Sequence, residues 1–360
     1  MSEQDNGTIK GFNVRIFSIT LASVLGALTS MTAFAQTAAT NTTLASGAAP
    51  EMLETVLVRG EQPGPGMWKV SKGDHVLWIV GIQTPVPKNM TWRSKKVEAV
   101  VAKSQEILGP PGAGITMKQI GYFRALTLLP SAMESVKNPD GATLRDVVPV
   151  SIYPRWVALR SKYIGEYQDD DNDLERSRPM FAAGKLYQKA IEKTGMTSSS
   201  PVTAIINEAA KKHGVKITSV TIEPPIGDLR AAVTEFKKTR LADLDCFTKT
   251  LDRIETDLQA MRARANAWAT GDITAIRALP VNDQRAACEA AIRDASFVKT
   301  LGVQNVPAQI QAAWMNAAEA ALTKNMSTVA TLSMAQLVAP DGYLAKLKAK
   351  GYVVVEPDSD

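Results

Sequence analysis

The chain has 360 residues, 45% hydrophobic and 21% charged, with a net charge of +5. This globular composition excludes a disordered chain, a collagen-like repeat and a disulfide-dense miniature fold. Two histidines, His75 and His213, and two cysteines, Cys246 and Cys288, exclude a cysteine-rich zinc module and any site built on three imidazoles.

Residues 1–35 read as a secretory signal. Lys10 and Arg15 supply a positive start, Ile16 to Leu28 are apolar, and Ala33 and Ala35 give the small-x-small pattern that a signal peptidase accepts. Cleavage after Ala35 leaves Gln36 first and directs the chain to the periplasm or outside the cell. The alternative is an uncleaved membrane anchor, but Thr, Ser and Gly interrupt Ile16–Ala35 and make it a poor span. No cysteine lies near the site, which excludes a lipoprotein. Residues 36–53 are Ala/Thr-rich and uncharged up to Pro50, and read as a flexible leader. Export and the scattered placement of Lys and Arg argue against nucleic acid as a partner. No later apolar run is long enough for a stable membrane span.

Structure is expected from Glu54, in a single domain covering 54–360. Glu54–Arg59, Met67–Val70 and His75–Val80 read as strands, with Gly64-Pro65-Gly66 and Lys72-Gly73-Asp74 as turns. Trp92–Leu108 has helical spacing, closed by Gly109-Pro110-Pro111-Gly112. From Ser131 the chain is mostly helical until Gly214, a natural C-cap before a strand at Val215–Ile222. Asp169–Asp173 resembles half a calcium loop, but Leu174 and Met180 stand where Gly and Glu belong. It reads as a linker with Asp173 capping the next helix. Helices dominate again, the longest over Leu241–Ala269. Ser327–Met334 reads as a strand, Tyr343–Lys350 as a helix and Tyr352–Val355 as a last strand. The expected class is α/β, a mixed sheet built from N- and C-terminal strands with large helical insertions.

Two cysteines in an exported chain read as one disulfide, Cys246–Cys288, joining two helical segments. No phosphate loop or nucleophile elbow is present, and Ser296-Phe297-Val298-Lys299 has no partner motif. His75 sits in the hairpin turn, an exposed place, and His213 at a helix end. Both read as structural.

Two stretches resemble the TraB/GumN family, which includes the Tiki-type proteins. One is Pro65–Val70 followed by His75–Thr84, similar to the family's P-x-W-x-V, hairpin, strand, G-T-x-H. The other is Thr328–Pro357, similar to its strand, V-G-x-x-H-L-x-G-x-x-G-L-L, helix, G-Y-x-V. The resemblance implies an α/β fold whose ends meet in the core and, in active members, a metal-dependent hydrolase or peptidase. There the motif histidines and carboxylates hold the ion and an activated water. This chain departs from that pattern. Thr84 and Gln336 stand at the histidine positions, Ser333 and Ala335 replace glycines, and Met315-Asn316 stand where the late helix carries Arg-Asn. The glutamate that follows the first helix has no match at Gly109-Pro110, and Glu106 falls too early.

Thr and Gln are weak neutral ligands for a divalent transition metal. The expectation is therefore a degenerate, non-catalytic binding or structural member with no metal or cofactor, acting on a ligand or protein partner. Gly81, Gln83, Thr84 and Gln336 are the candidate cleft residues. The alternative is a hydrolase in which Gln83, Thr84 and Gln336 orient substrate or water. N-terminal sequencing of protein made in an exporting host is expected to read from Gln36. A membrane-retained chain starting at Met1 would mean an anchor instead.

Overall fold

The computed structural model describes residues 61–165, 171–279, 283–303 and 305–357. The expected signal, leader and strand at Glu54–Arg59 lie outside them, as do Asp169 and Asp170.

Apolar residues such as Trp68, Val70, Leu77 and Ile79 bury the first hairpin. Strands β1 (Met67–Lys72) and β2 (His75–Ile82) pair antiparallel, and Gly73 turns the chain at φ 59°. Three short or late strands complete one side of the sheet: β3 (Glu106–Leu108), β4 (Lys216–Thr218) and β5 (Ser327–Ser333). The last, β6 (Val353–Val355), covers β1. The order is β6-β1-β2-β5-β3-β4, with β2, β5, β3 and β4 mutually parallel. N-terminal β2 and C-terminal β5 are neighbours, paired from Val76↔Ser327 to Ile82↔Ser333. β5 is buried at every position from Thr328 to Leu332, which requires cover on both faces.

That cover is helical. Helix α1 (Lys95–Lys103) turns Val97 and Val101 inward. Further along come α2 (Tyr122–Glu134), α3 (Tyr153–Tyr163), α4 (Pro179–Lys193) and α5 (Pro201–His213). α1 packs on α5, and both touch the sheet. Gly214 ends α5 in the left-handed conformation at φ 67°, as its sequence position predicts. Then follow α6 (Leu229–Lys238), α7 (Leu244–Thr256), α8 (Leu258–Thr270), α9 (Gln284–Arg293) and α10 (Ser296–Leu301). Helix α11 (Val306–Lys324) lies across β2, β3 and β5, with Trp314 fully buried. The chain closes with α12 (Met334–Val338) and α13 (Tyr343–Ala349).

The insertion has a core of its own, built by α3, α4 and α7, where Trp156 meets Phe247 with ring centroids 5.7 Å apart. Arg178, 1% exposed, sits just before α4 and ties the insertion to neighbouring helix ends. Its guanidinium donates to Ser135 O at 2.8 Å and to Phe236 O and Thr239 O at 2.5 Å. Carbonyls at the ends of α2 and α6 thereby gain the donors they lack within the helix. Cys246 on α7 and Cys288 on α9 are bridged, with sulfurs 1.95 Å apart. The outer side of α2 is apolar: Tyr122, Phe123, Leu126, Leu129 and Met133 are all more than half exposed.

Several local expectations change. The helix expected through Leu108 stops at Lys103, where Ser104 turns extended and its hydroxyl donates to Val100 O at 2.8 Å. Ile107 and Leu108 are then buried as a strand between β4 and β5. Gly109-Pro110 therefore follows a strand and does not terminate a helix. The helix over Leu241–Ala269 breaks at Asp257. The carboxylate there is 3.6 Å from Arg253 Nε and 3.2 Å from Arg264 Nη1. It also starts late, because the Asp243 carboxylate accepts from Met180 N at 2.9 Å, at the start of α4. The strand at Val215–Ile222 splits into β4 and Thr221-Ile222. Asp173 lies inside a helix at Asp171–Glu175 and pairs with Lys137 at 3.2 Å, so it is not a cap. His75 opens β2 and is only partly exposed, with Nδ1 buried.

Glu106, the first residue of β3, ties that strand to Thr218 at the close of β4 and to Asn325 just before β5. Thr218 Oγ1 and Asn325 Nδ2 donate to its carboxylate, the latter at 2.9 Å, and Asn325 also donates to Thr328 Oγ1. Burial alone would raise its pKa. The two hydrogen bonds, with Lys216 and Lys324 nearby, more than offset that and hold the carboxyl below its ordinary value. A depressed carboxylate stabilises the fold above its unfolded pKa, and that stability is lost as pH falls through the folded value. Glu106→Gln is expected to lower the unfolding free energy by about 1–2 kcal/mol at neutral pH. The gap to the wild type should close below about pH 4, as denaturant melts across pH will show.

Candidate functional site

In an open α/β sheet the carboxyl ends of parallel strands, where loops diverge, are the usual place for a ligand. Here β2 and β5 end side by side, with Gly81 opposite Leu332 and Ile82 opposite Ser333. Gln83, Thr84 and Gln336 follow directly. The structure thus brings all four sequence-nominated residues, Gly81, Gln83, Thr84 and Gln336, to one edge of the sheet.

Their side-chain environments differ. Gly81 is enclosed. A Cβ there would overlap Met334 Sδ and press on Leu337 and Trp68, while its carbonyl accepts from Trp268 Nε1 at 2.8 Å. Met334 and Leu337 are themselves buried. Gln336 belongs to a capping box on α12. Its Oε1 accepts from Ser333 N at 3.0 Å and from Ser333 Oγ at 2.9 Å, and its own N–H donates to Ser333 Oγ at 3.3 Å. A serine and a glutamine three residues apart are the sequence signal for this box. The position matches a motif histidine of the family, yet the side chain serves the cap. Gln83 is partly exposed, and its amide donates to Thr84 O at 3.3 Å. Thr84 is exposed and joined to Pro85 by a cis peptide bond.

These donors do not fit a divalent transition metal. The edge offers a hydroxyl, two primary amides of which one is committed to a cap, and a glycine. The histidines stand elsewhere. His75 opens β2, and at about 3.3 Å per residue it lies about 20 Å from the strand's other end. His213 ends α5, just before the amino end of β4. Glu106 does follow the first helix once that helix is known to stop at Lys103, but it is held at the amino edge by Thr218 and Asn325. Met315 is buried in α11, and Asn316 is exposed beside it. Among the described residues no three His, Cys, Asp or Glu side chains gather where they could hold a metal ion.

The other half of the edge is open. Beyond β3 and β4 the chain continues as a short parallel pair, Gly112-Ala113 with Thr221-Ile222. Next to it lies a cavity of about 760 Å³ bounded by α7, α9, α10 and α11. Sequence reasoning did not find it, since its walls come from segments far apart in the chain.

The TraB/PrgY/gumN family model matches residues 66–356, and the chain belongs to that family. No curated protein and no solved structure matches it. Gly81→Ala is expected to destabilise the protein by about 1–3 kcal/mol, because the added methyl must displace Met334. Combined with Met334→Ala it should cost less than the two single changes summed, a coupling that a double-mutant melting cycle will measure.

Proposed function

We propose that this member of the TraB/PrgY/gumN family is an exported protein that works by binding a ligand or partner, or as a structural component, and does not carry out metal-dependent hydrolysis. The observation that carries this is the state of Gln336. The residue at the position of the second motif histidine has its acceptor oxygen spent on Ser333, one turn of helix away. A side chain locked in a cap is poorly placed to grip an ion or sharpen a water. Thr84, at the first histidine position, brings only a neutral hydroxyl. Closure of Gly81 under Met334 and Leu337 supports the same reading, since apolar bulk lies where the two motif strands end.

Export is supported by the signal-like residues 1–35 and by the bridged pair Cys246–Cys288, a bond suited to an oxidising compartment. Among the described residues no helix is long and apolar enough to cross a membrane.

The competing reading keeps a hydrolase at this edge, with Gln83 and Thr84 orienting water or substrate. It draws on their partial exposure. Metal analysis and turnover separate the two. Purified protein is expected to carry no stoichiometric transition metal. After incubation with zinc or manganese it should hydrolyse peptide and ester panels no faster than its Gln336→Ala variant. Stoichiometric metal, or turnover well above that variant, would establish the hydrolase.

A further inference from the structure

The cavity beyond β3 and β4 has the size of a small-molecule site, within the usual span of about 300–1,000 Å³. Its walls are largely aliphatic: Ile115, Pro224, Ile292, Val298, Leu301 and Val306 all line it. Ile115 is nearly half exposed, so the apolar lining reaches solvent.

The charged groups in the lining are unbalanced. Arg253, Arg285 and Arg293 share the lining with one carboxylate, Glu289, which accepts from Arg285 Nε at 2.6 Å, while Arg293 pairs with the adjacent Asp294 at 3.2 Å. Arg285 and Arg293 are more than half exposed, whereas the Arg253 side chain is only 19% exposed. Arg253 is also held in place. Its guanidinium lies 5.0 Å from the Tyr187 ring centroid, and Nη1 donates to Gln284 Oε1 at 2.9 Å. The nearest carboxylate, Asp257, is 3.6 Å from Arg253 Nε and is shared with Arg264. A positioned, poorly hydrated guanidinium in the wall of an aliphatic cavity attracts an anion, and the aliphatic lining attracts hydrocarbon. The disulfide adds rigidity. Cys288 lines the cavity, Gln284 Nε2 approaches its sulfur at 3.4 Å, and the bond anchors α9 to the helix that carries Arg253.

We propose that this cavity binds an anionic single-chain amphiphile, with the hydrocarbon chain against Ile292, Val298 and Leu301 and the acidic head at Arg253 and Gln284. The proposal extends the binding reading above to a named site and ligand class. It is tested separately from it, because none of Gln83, Thr84 or Gln336 lines the cavity.

The experiment titrates delipidated full chain with the fluorescent acid cis-parinarate, then displaces it with dodecanoate, dodecanol or lysophosphatidylglycerol. Saturable binding is expected, displaced by dodecanoate or by the lysolipid. Which of the two displaces better identifies a free acid or a lipid headgroup as the source. Leu301→Trp, and independently Val303→Trp, should weaken binding about tenfold or more by filling the cavity. Arg253→Gln should weaken dodecanoate about tenfold while leaving dodecanol within about twofold. Thermal melts identify which variants are folded. No saturable binding to the wild type, unchanged affinity in a folded tryptophan variant, or equal loss of acid and alcohol in Arg253→Gln would overturn the proposal.

Discussion

The parallel pairing of β2 with β5 is the constraint from which the rest of this molecule follows. The two strands come from opposite ends of the described chain, and their seven-residue register fixes where each ends. Pairing strands so remote in sequence costs loop-closure entropy that local contacts cannot return. The recovery comes from burial. β5 is enclosed over five consecutive residues, and Trp68, Leu77, Ile79 and Trp314 are fully buried in the same core. Once the register is set, Gly81 must lie beside Leu332, and whatever follows Ser333 must pass over Gly81. In this chain Met334 follows, and it fills that place.

Filling that place changes what the sheet edge can do. Trp268 anchors the Gly81 carbonyl from one side, Met334 and Leu337 cover the glycine, and the Ser333–Gln336 box starts a helix at once. Each contact stabilises the strand ends, and the Gly81 carbonyl and the Gln336 side-chain oxygen are both taken up in them. The opposite half of the edge has no such closure. β3 and β4 are three residues each, their extensions pair at Gly112-Ala113 and Thr221-Ile222, and helices from the insertion stand beyond them with space between.

How far the sequence predicts this depends on the length over which a signal is summed. The hairpin, the Gly214 cap, the cysteine pair and the return to strand at Ser327 each rest on a strong local pattern, and the structure bears them out. β3 is only three residues long and continues a helical spacing, so periodicity assigns it to the helix before it. Its strand state comes from Ile107 and Leu108 being drawn between β4 and β5, which no window on the chain reveals. Asp257 breaks an apolar helical stripe through its attraction to Arg264, seven residues on. The four candidate residues at the β2–β5 edge were legible because two short motifs carry them. The cavity was not, because Ile115, Arg253, Ile292 and Leu301 come together only through helix docking.

Charge is distributed unevenly between the ends of the sheet. Both histidines and Glu106 lie at or just before the amino ends of their strands, and Glu106 is satisfied by Thr218 and Asn325. At the carboxyl edge, the positions where β2 and β5 end hold neutral groups, while the cavity wall holds an excess of guanidinium. Hydrolysis needs charge placed at the atoms that react, aimed at the transition state. Binding needs only a shape and one well-placed counter-charge, and hydrocarbon burial supplies the rest. The binding role proposed for this chain rests on the second requirement.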